Sequence, residues 1–219
     1  VRKVFHADLQ QIGEELIEMS RLVAAAMERA YESFANADIE LAEEVIAEDA
    51  KIDFLQNQLD ERAIDVLALQ GPVASDLRMI VGSLRMSASL ERMGDLARHV
   101  AQLARLRFPQ QVVPEALAPT FKTMAELDIA IAGKVGQLLE SRDLAVAREI
   151  IDLNAKIDEL HVSIFKAVAA PEWNLSGPTT ADITLTSRYM ERFGDHGVSV
   201  ARKVSYLVTG EWEPDITGF

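Results

Sequence analysis

A pentapeptide occurs twice in this chain: Glu91-Arg92-Met93-Gly94-Asp95 returns as Glu191-Arg192-Phe193-Gly194-Asp195. A second block, Ala50-Lys51-Ile52-Asp53, returns as Ala155-Lys156-Ile157-Asp158. Either match alone is weak in a chain built from few residue types. Both keep their order and nearly their spacing, so the chain reads as one unit duplicated, and its fold must offer the same two places twice. The blocks lie in stretches rich in Ala, Leu, Glu, Arg and Ile, which lose little entropy in a helix, while Pro and Gly number only 7 and 11.

Breakers divide the chain into six helical stretches. The first runs from about Ala7 to Ala35, where Asn36-Ala37-Asp38 offers a turn and an N-cap. The second runs from Ile39 to about Leu69 and stops at Gln70-Gly71-Pro72; the third runs from Ala74 to about Arg107. Phe108-Pro109, Pro114 and Pro119 make a Pro-containing break. Beyond it the helices run from about Pro119 to Glu140, from Leu144 to about Ala169, and from about Thr179 to Val208. The expected fold is all-α, two tandem three-helix bundles related by internal duplication. Residues 1–107 form the first bundle, 108–118 a linker, 119–210 the second bundle, and 211–219 a tail marked by Pro214.

Charge and composition remove several classes of function. Net charge is -13, with 22 basic residues dispersed among 35 acidic ones, so no face is expected to neutralise nucleic-acid phosphates. With no cysteine, disulfides and thiolate ligands are excluded, and any metal must be held by oxygen or imidazole. No apolar run approaches the roughly 18 residues of a membrane span, and the stretch from Val1 to Asp8 lacks the pattern of a secretory leader. A cytoplasmic protein is expected. Nucleophile elbows, His-Glu-x-x-His and Gly-rich phosphate loops are absent from the sequence.

The acidic residues gain interest from the faces they occupy. On the second helix Ala42, Val45, Ile52, Leu59, Ala63 and Val66 form an apolar stripe; Asp49 falls inside it, with Asp53 one turn beyond. On the third, Leu77, Ile80 and Leu84 define a face that Glu91 and Asp95 continue. Four carboxylates thus project inward from two adjacent helices. Left alone they would repel one another; iron, zinc, manganese or magnesium would satisfy them. The ordinary reading is a solvated acidic face paired with Arg92 and Arg98, and both readings stand at this point.

In the second half Asp158, Glu191 and Asp195 repeat the pattern, while Asn154 stands where the first half has Asp49. Thr180, Thr184 and Ser187 share the face of Glu191 and Asp195. His99, Asn154 and His161 are additional candidate ligands. Arg92 and Arg192 are expected to hold carboxylates by forked hydrogen bonds. Gly94 and Gly194, costly inside helices, are expected to mark close helix approach.

The repeated Glu-Arg-apolar-Gly-Asp block, with Asp76-Leu77-Arg78 upstream of its first copy, resembles the signature of the PhoU family, and the resemblance extends over nearly the whole chain. It implies a pair of three-helix bundles, a homodimer, and multinuclear metal clusters. Carried over, the ligands are Asp49, Asp53, Glu91 and Asp95 in one half and Asp158, Glu191 and Asp195 in the other. Asn four residues past each Asp is common in the family; His99 and Ser199 stand there here. The resemblance also implies a non-enzymatic negative regulator of phosphate uptake and phosphate-starvation signalling. Its partners would be a sensor histidine kinase and the ATPase subunit of a phosphate-specific ABC transporter, which bring it to the inner membrane. Two rivals are a ferritin-like di-metal oxidase, for which only Asp158-Glu159-Leu160-His161 comes near the required pattern, and a metal-free helical adaptor.

Overall fold

The computed structural model describes residues 2–212; Val1 and residues 213–219, with the tail's Pro214, lie outside the described residues. Six α-helices follow one another: α1 (Arg2–Asn36), α2 (Ile39–Gln70), α3 (Ala74–Arg107), α4 (Ala118–Ser141), α5 (Leu144–Ala169) and α6 (Gly177–Thr209). One 3-10 turn, Glu115–Leu117, leads into α4, and no strand occurs among the described residues.

The helix ends follow from local chemistry. Asp38 and Asp143 cap α2 and α5 by accepting from the Leu41 and Ala145 amides at 3.1 and 2.9 Å. Each cap follows a residue with positive φ, Ala37 at 50° and Arg142 at 54°, so the duplication persists in the backbone of the turns. α1 starts at Arg2, ahead of the expected Ala7, because Phe5 already packs on the core. α6 starts at Gly177, ahead of Thr179, because Ser176 accepts from the Thr179 amide and Pro178 sits in the first turn, where no intrahelical donor is needed.

Two three-helix bundles, α1–α3 and α4–α6, lie side by side. Among the described residues α1 packs on α4 and α3 on α6, whereas α2 touches only α1 and α3, and α5 only α4 and α6. The inner helices α1, α3, α6 and α4 therefore close a ring flanked by α2 and α5. The two bundles share one continuous apolar core. Phe34 meets Phe121 across the α1–α4 seam, with ring centroids 6.4 Å apart. Across α3–α6, Arg107 grips the buried Asp182 with a forked pair of hydrogen bonds of 2.6 and 3.0 Å. Gly197 lets α6 close on α4: a Cβ there would collide with Ile131 Cγ2.

One residue departs from its expected face. Leu77 is 40% exposed and lines an open groove with Val81 and Trp212, so the apolar face of α3 begins at Ile80.

Because Phe121 is fully buried on the seam between bundles, Phe121→Ala should cost about 3–5 kcal/mol. Urea denaturation followed by circular dichroism should show a single transition shifted to lower denaturant. Two separated transitions would contradict a shared core.

Candidate metal centres

Gly94 of α3 faces α2 so closely that a Cβ would stand 2.8 Å from Ile52 Cδ1 and 3.1 Å from Asp49 Oδ1. That approach brings the α2 stripe onto the repeated block of α3. Asp49 is buried, and one oxygen from each of Asp49, Asp53 and Asp95 lies within 4.8 Å of the others. Glu91 stands beside Asp95 and feels the charges of Asp95 and Asp53. The structure thus brings Asp49, Asp53 and Asp95 into one group, with the expected Glu91 beside Asp95 and outside that group of three. Arg98 enters from the same side: its Nε lies 3.3 Å from Asp49 and its Nη2 donates to Asp95 at 2.9 Å.

α5 and α6 repeat the construction with different parts. A Cβ on Gly194 would overlap Asn154 Oδ1 and lie 3.2 Å from Ile157 Cδ1. One oxygen from each of Asp158, Glu191 and Asp195 lies within 4.8 Å of the others. Asn154 does not join them through its oxygen; its Nδ2 donates to Asp195 Oδ1 at 3.2 Å. Arg188 meets Glu191 at 2.6 Å from the solvent side, its side chain 54% exposed.

One acidic residue here has no counterpart in the sequence reading. Asp128 of α4 is fully buried, and neither carboxylate oxygen has a hydrogen-bond partner. It lies against Gly194, where a Cβ would be 3.4 Å from its Oδ1, and it feels the charges of Asp195 and Glu191. Asn154 Oδ1 is likewise buried and unpartnered. The signal that finds Asp128 is its place in an apolar stripe of α4, Phe121, Met124, Ala125, Ile131, Ala132 and Val135.

The other sequence candidates fall elsewhere. His99 packs its ring 5.1 Å from that of Tyr189 on α6, outside the carboxylate group. His161 shares a 2.6 Å hydrogen bond with Ser187 and packs edge-on against Phe165. Arg92 and Arg192 make no fork: each reaches its following Asp through one Nη1, at 3.4 and 3.5 Å. The basic group that spans two carboxylates is instead Arg98, which donates to Asp95 through Nη2 and forms an ion pair with Asp49.

Burial and crowding raise these acids. Asp49 is pushed up to about 6 by burial and then by the charge of Asp53, against the opposing pull of Arg98. Glu91 and Glu191 are pushed up to about 7, first by burial and then by the adjacent carboxylates of Asp95 and Asp195 respectively. Asp128 is raised well above the carboxylate range by burial and by Asp195 and Glu191. A divalent cation fits such places: the donors are all oxygen and converge in threes, and in the second half the buried oxygens of Asp128 and Asn154 lack any hydrogen-bond donor.

Known proteins resemble this chain over almost its whole length. The PhoU domain matches residues 16–104 and again 121–204. The phosphate-specific transport system accessory protein PhoU homolog 1 of Mycobacterium leprae is 39% identical, across 99% of this chain and 98% of its own. PhoU homolog 2 of Mycobacterium tuberculosis is 40% identical, across 96% and 99%. The crystal structure of the phosphate transport system regulatory protein PhoU from Streptococcus pneumoniae superposes with a TM-score of 0.85 at 23% identity, covering 96% of this chain and 100% of that one. PhoU from Pseudomonas aeruginosa gives 0.83 at 24% identity, covering 94% and 100%. At those identities the two structures speak to the fold.

The raised acids set a pH dependence with a definite sign. The native metal-free protein retains protons that the unfolded chain releases between the ordinary carboxylate range and about 7, so its stability falls as pH rises through that window. Melting in chelator should be higher at about pH 5.5 than at about pH 8. Replacing Glu91 and Glu191 together by Gln should flatten the slope.

Proposed function

We propose that this chain, which belongs to the PhoU family, is a regulator of phosphate transport that binds divalent metal at its two acidic clusters and acts by contact with other proteins. The observation that carries the regulatory reading is likeness across the full chain, at 39% and 40% identity, to proteins named phosphate-specific transport system accessory proteins. The metal reading rests on the convergent carboxylates and the unpartnered oxygens of Asp128 and Asn154. When bound, a cation would supply the positive charge that lets these acids stay ionised together. Asp49, Asp53, Glu91 and Asp95 would hold it in the first half, and Asp158, Glu191 and Asp195 in the second. Arg98 and Asn154 would orient Asp95 and Asp195 by hydrogen bonds.

No helix among the described residues is long and apolar enough to cross a membrane. We place the protein in the cytoplasm as a homodimer, reaching the inner membrane through a sensor histidine kinase and the ATPase subunit of a phosphate ABC transporter. Its effect there is to restrain uptake and starvation signalling. A di-metal oxidase is disfavoured because neither carboxylate group among the described residues includes a histidine. Anaerobic iron loading followed by air should consume no stoichiometric oxygen.

Elemental analysis of the native protein tests the metal reading. Wild type should carry one ion per chain or more, and the content should drop in Glu91→Ala/Asp95→Ala and again when Glu191→Ala/Asp195→Ala is added. Absence of metal, with unchanged melting in the variants, would leave the helical adaptor as the better account. The regulatory reading is tested in cells: deleting the gene should raise phosphate uptake in phosphate-rich medium, and the wild-type chain should restore it.

A further inference from the structure

The two clusters differ in their built-in countercharge, and the difference is systematic. The duplicated pentapeptide puts Val198 where the first half has Arg98, and the duplicated turns put Asp128 where the first half has Val23. In the first half the Arg98 guanidinium lies between Asp49 and Asp95, at 3.3 and 2.9 Å, with its side chain 32% exposed. Arginine stays charged at any working pH, so this group already holds a cation among its ligand atoms. In the second half Val198 is buried and apolar. The stronger basic contact there, Arg188, is 54% exposed and reaches only Glu191; Arg192 touches Asp195 at 3.5 Å. Behind Asp195 the neutral Asn154 amide donates, and Asp128 brings two buried oxygens that no group satisfies.

We infer that the clusters are unequal cation sites: the second-half cluster, extended by Asp128 of α4, takes up a divalent cation at lower concentration than the first-half cluster, which Arg98 partly neutralises from within. This rests on the metal reading above. An arriving cation must compete with a tethered guanidinium for Asp49 and Asp95. At the second cluster it meets Asp158, Glu191 and Asp195, with an added buried carboxylate behind them. A further consequence is geometric. The first cluster joins α2 to α3, whereas the second, through Asp128, also ties in α4.

Titration of the metal-free protein with Mn²⁺, read by calorimetry and by loss of the free-ion electron paramagnetic resonance signal, tests the inference. Wild type should show two classes of site separated by about tenfold or more in dissociation constant, a span that partners of metal ligands commonly set. Asp195→Ala should remove the tighter class, and Asp95→Ala the weaker. Asp128→Asn, which keeps shape while removing charge, should weaken the tighter class. Arg98→Val should tighten the weaker class toward the other. Thermal melts confirm that each variant is folded, and Val198→Arg, which should weaken the second cluster, gives an independent check. Two equal classes in wild type, or an Arg98→Val protein with unchanged affinities, would overturn the inference while leaving metal binding intact. Failure of wild type to bind Mn²⁺ at either cluster would overturn the metal reading and this inference with it.

Discussion

Two glycines in the middle of long helices determine how close the outer helices can come. At Gly94 and Gly194 the α3 and α6 backbones press on α2 and α5 so tightly that an added methyl would meet Ile52 and Asp49 in one half and Asn154 in the other. Glycine costs about 1 kcal/mol against alanine inside a helix, and the contact offsets that cost by burying apolar side chains around it. The same approach forces carboxylates from facing helices into one small volume. Their mutual repulsion follows from the packing, so the acidic clusters and the helix seams are one arrangement.

Much of this was legible from residue order. The breakers divided the chain into six helices, the duplicated blocks sorted them into two groups, and the stripe of α2 put Asp49 inside. What periodicity could not supply was the identity of neighbours across a seam. Asp128 sits in an apolar stripe as plain as that of α2, yet α4 carries no repeated motif to draw the eye, and its nearness to Gly194 exists only once α4, α5 and α6 are assembled. Arg98 was visible as a basic residue one turn past Asp95; that it bridges to Asp49 depends on how closely Gly94 lets α2 approach. His99 shared the turn of Asp95 but turns toward Tyr189, a neighbour contributed by the other half of the chain.

Duplication has left the architecture alike and the chemistry different. Arg29 pairs with Glu44 as Lys134 pairs with Glu149, and the turns at Ala37 and Arg142 share a backbone conformation. Inside the clusters, by contrast, Asp49 and Val23 are exchanged for Asn154 and Asp128, moving a carboxylate from the outer helix to an inner one. Each half keeps four acidic groups while their connection to the ring changes.

The position of α2 and α5 outside the ring bears on how the molecule opens. Each outer helix rests on its own half alone, so loosening its contacts would leave those that join α1, α3, α4 and α6 in place. Lifting α2 separates Asp49 and Asp53 from Glu91 and Asp95, and lifting α5 separates Asp158 from Glu191 and Asp195. Amide protons on one flank would then exchange with water independently of the other. The two flanks thus depend on separate seams, while the ring between them depends on both halves of the chain.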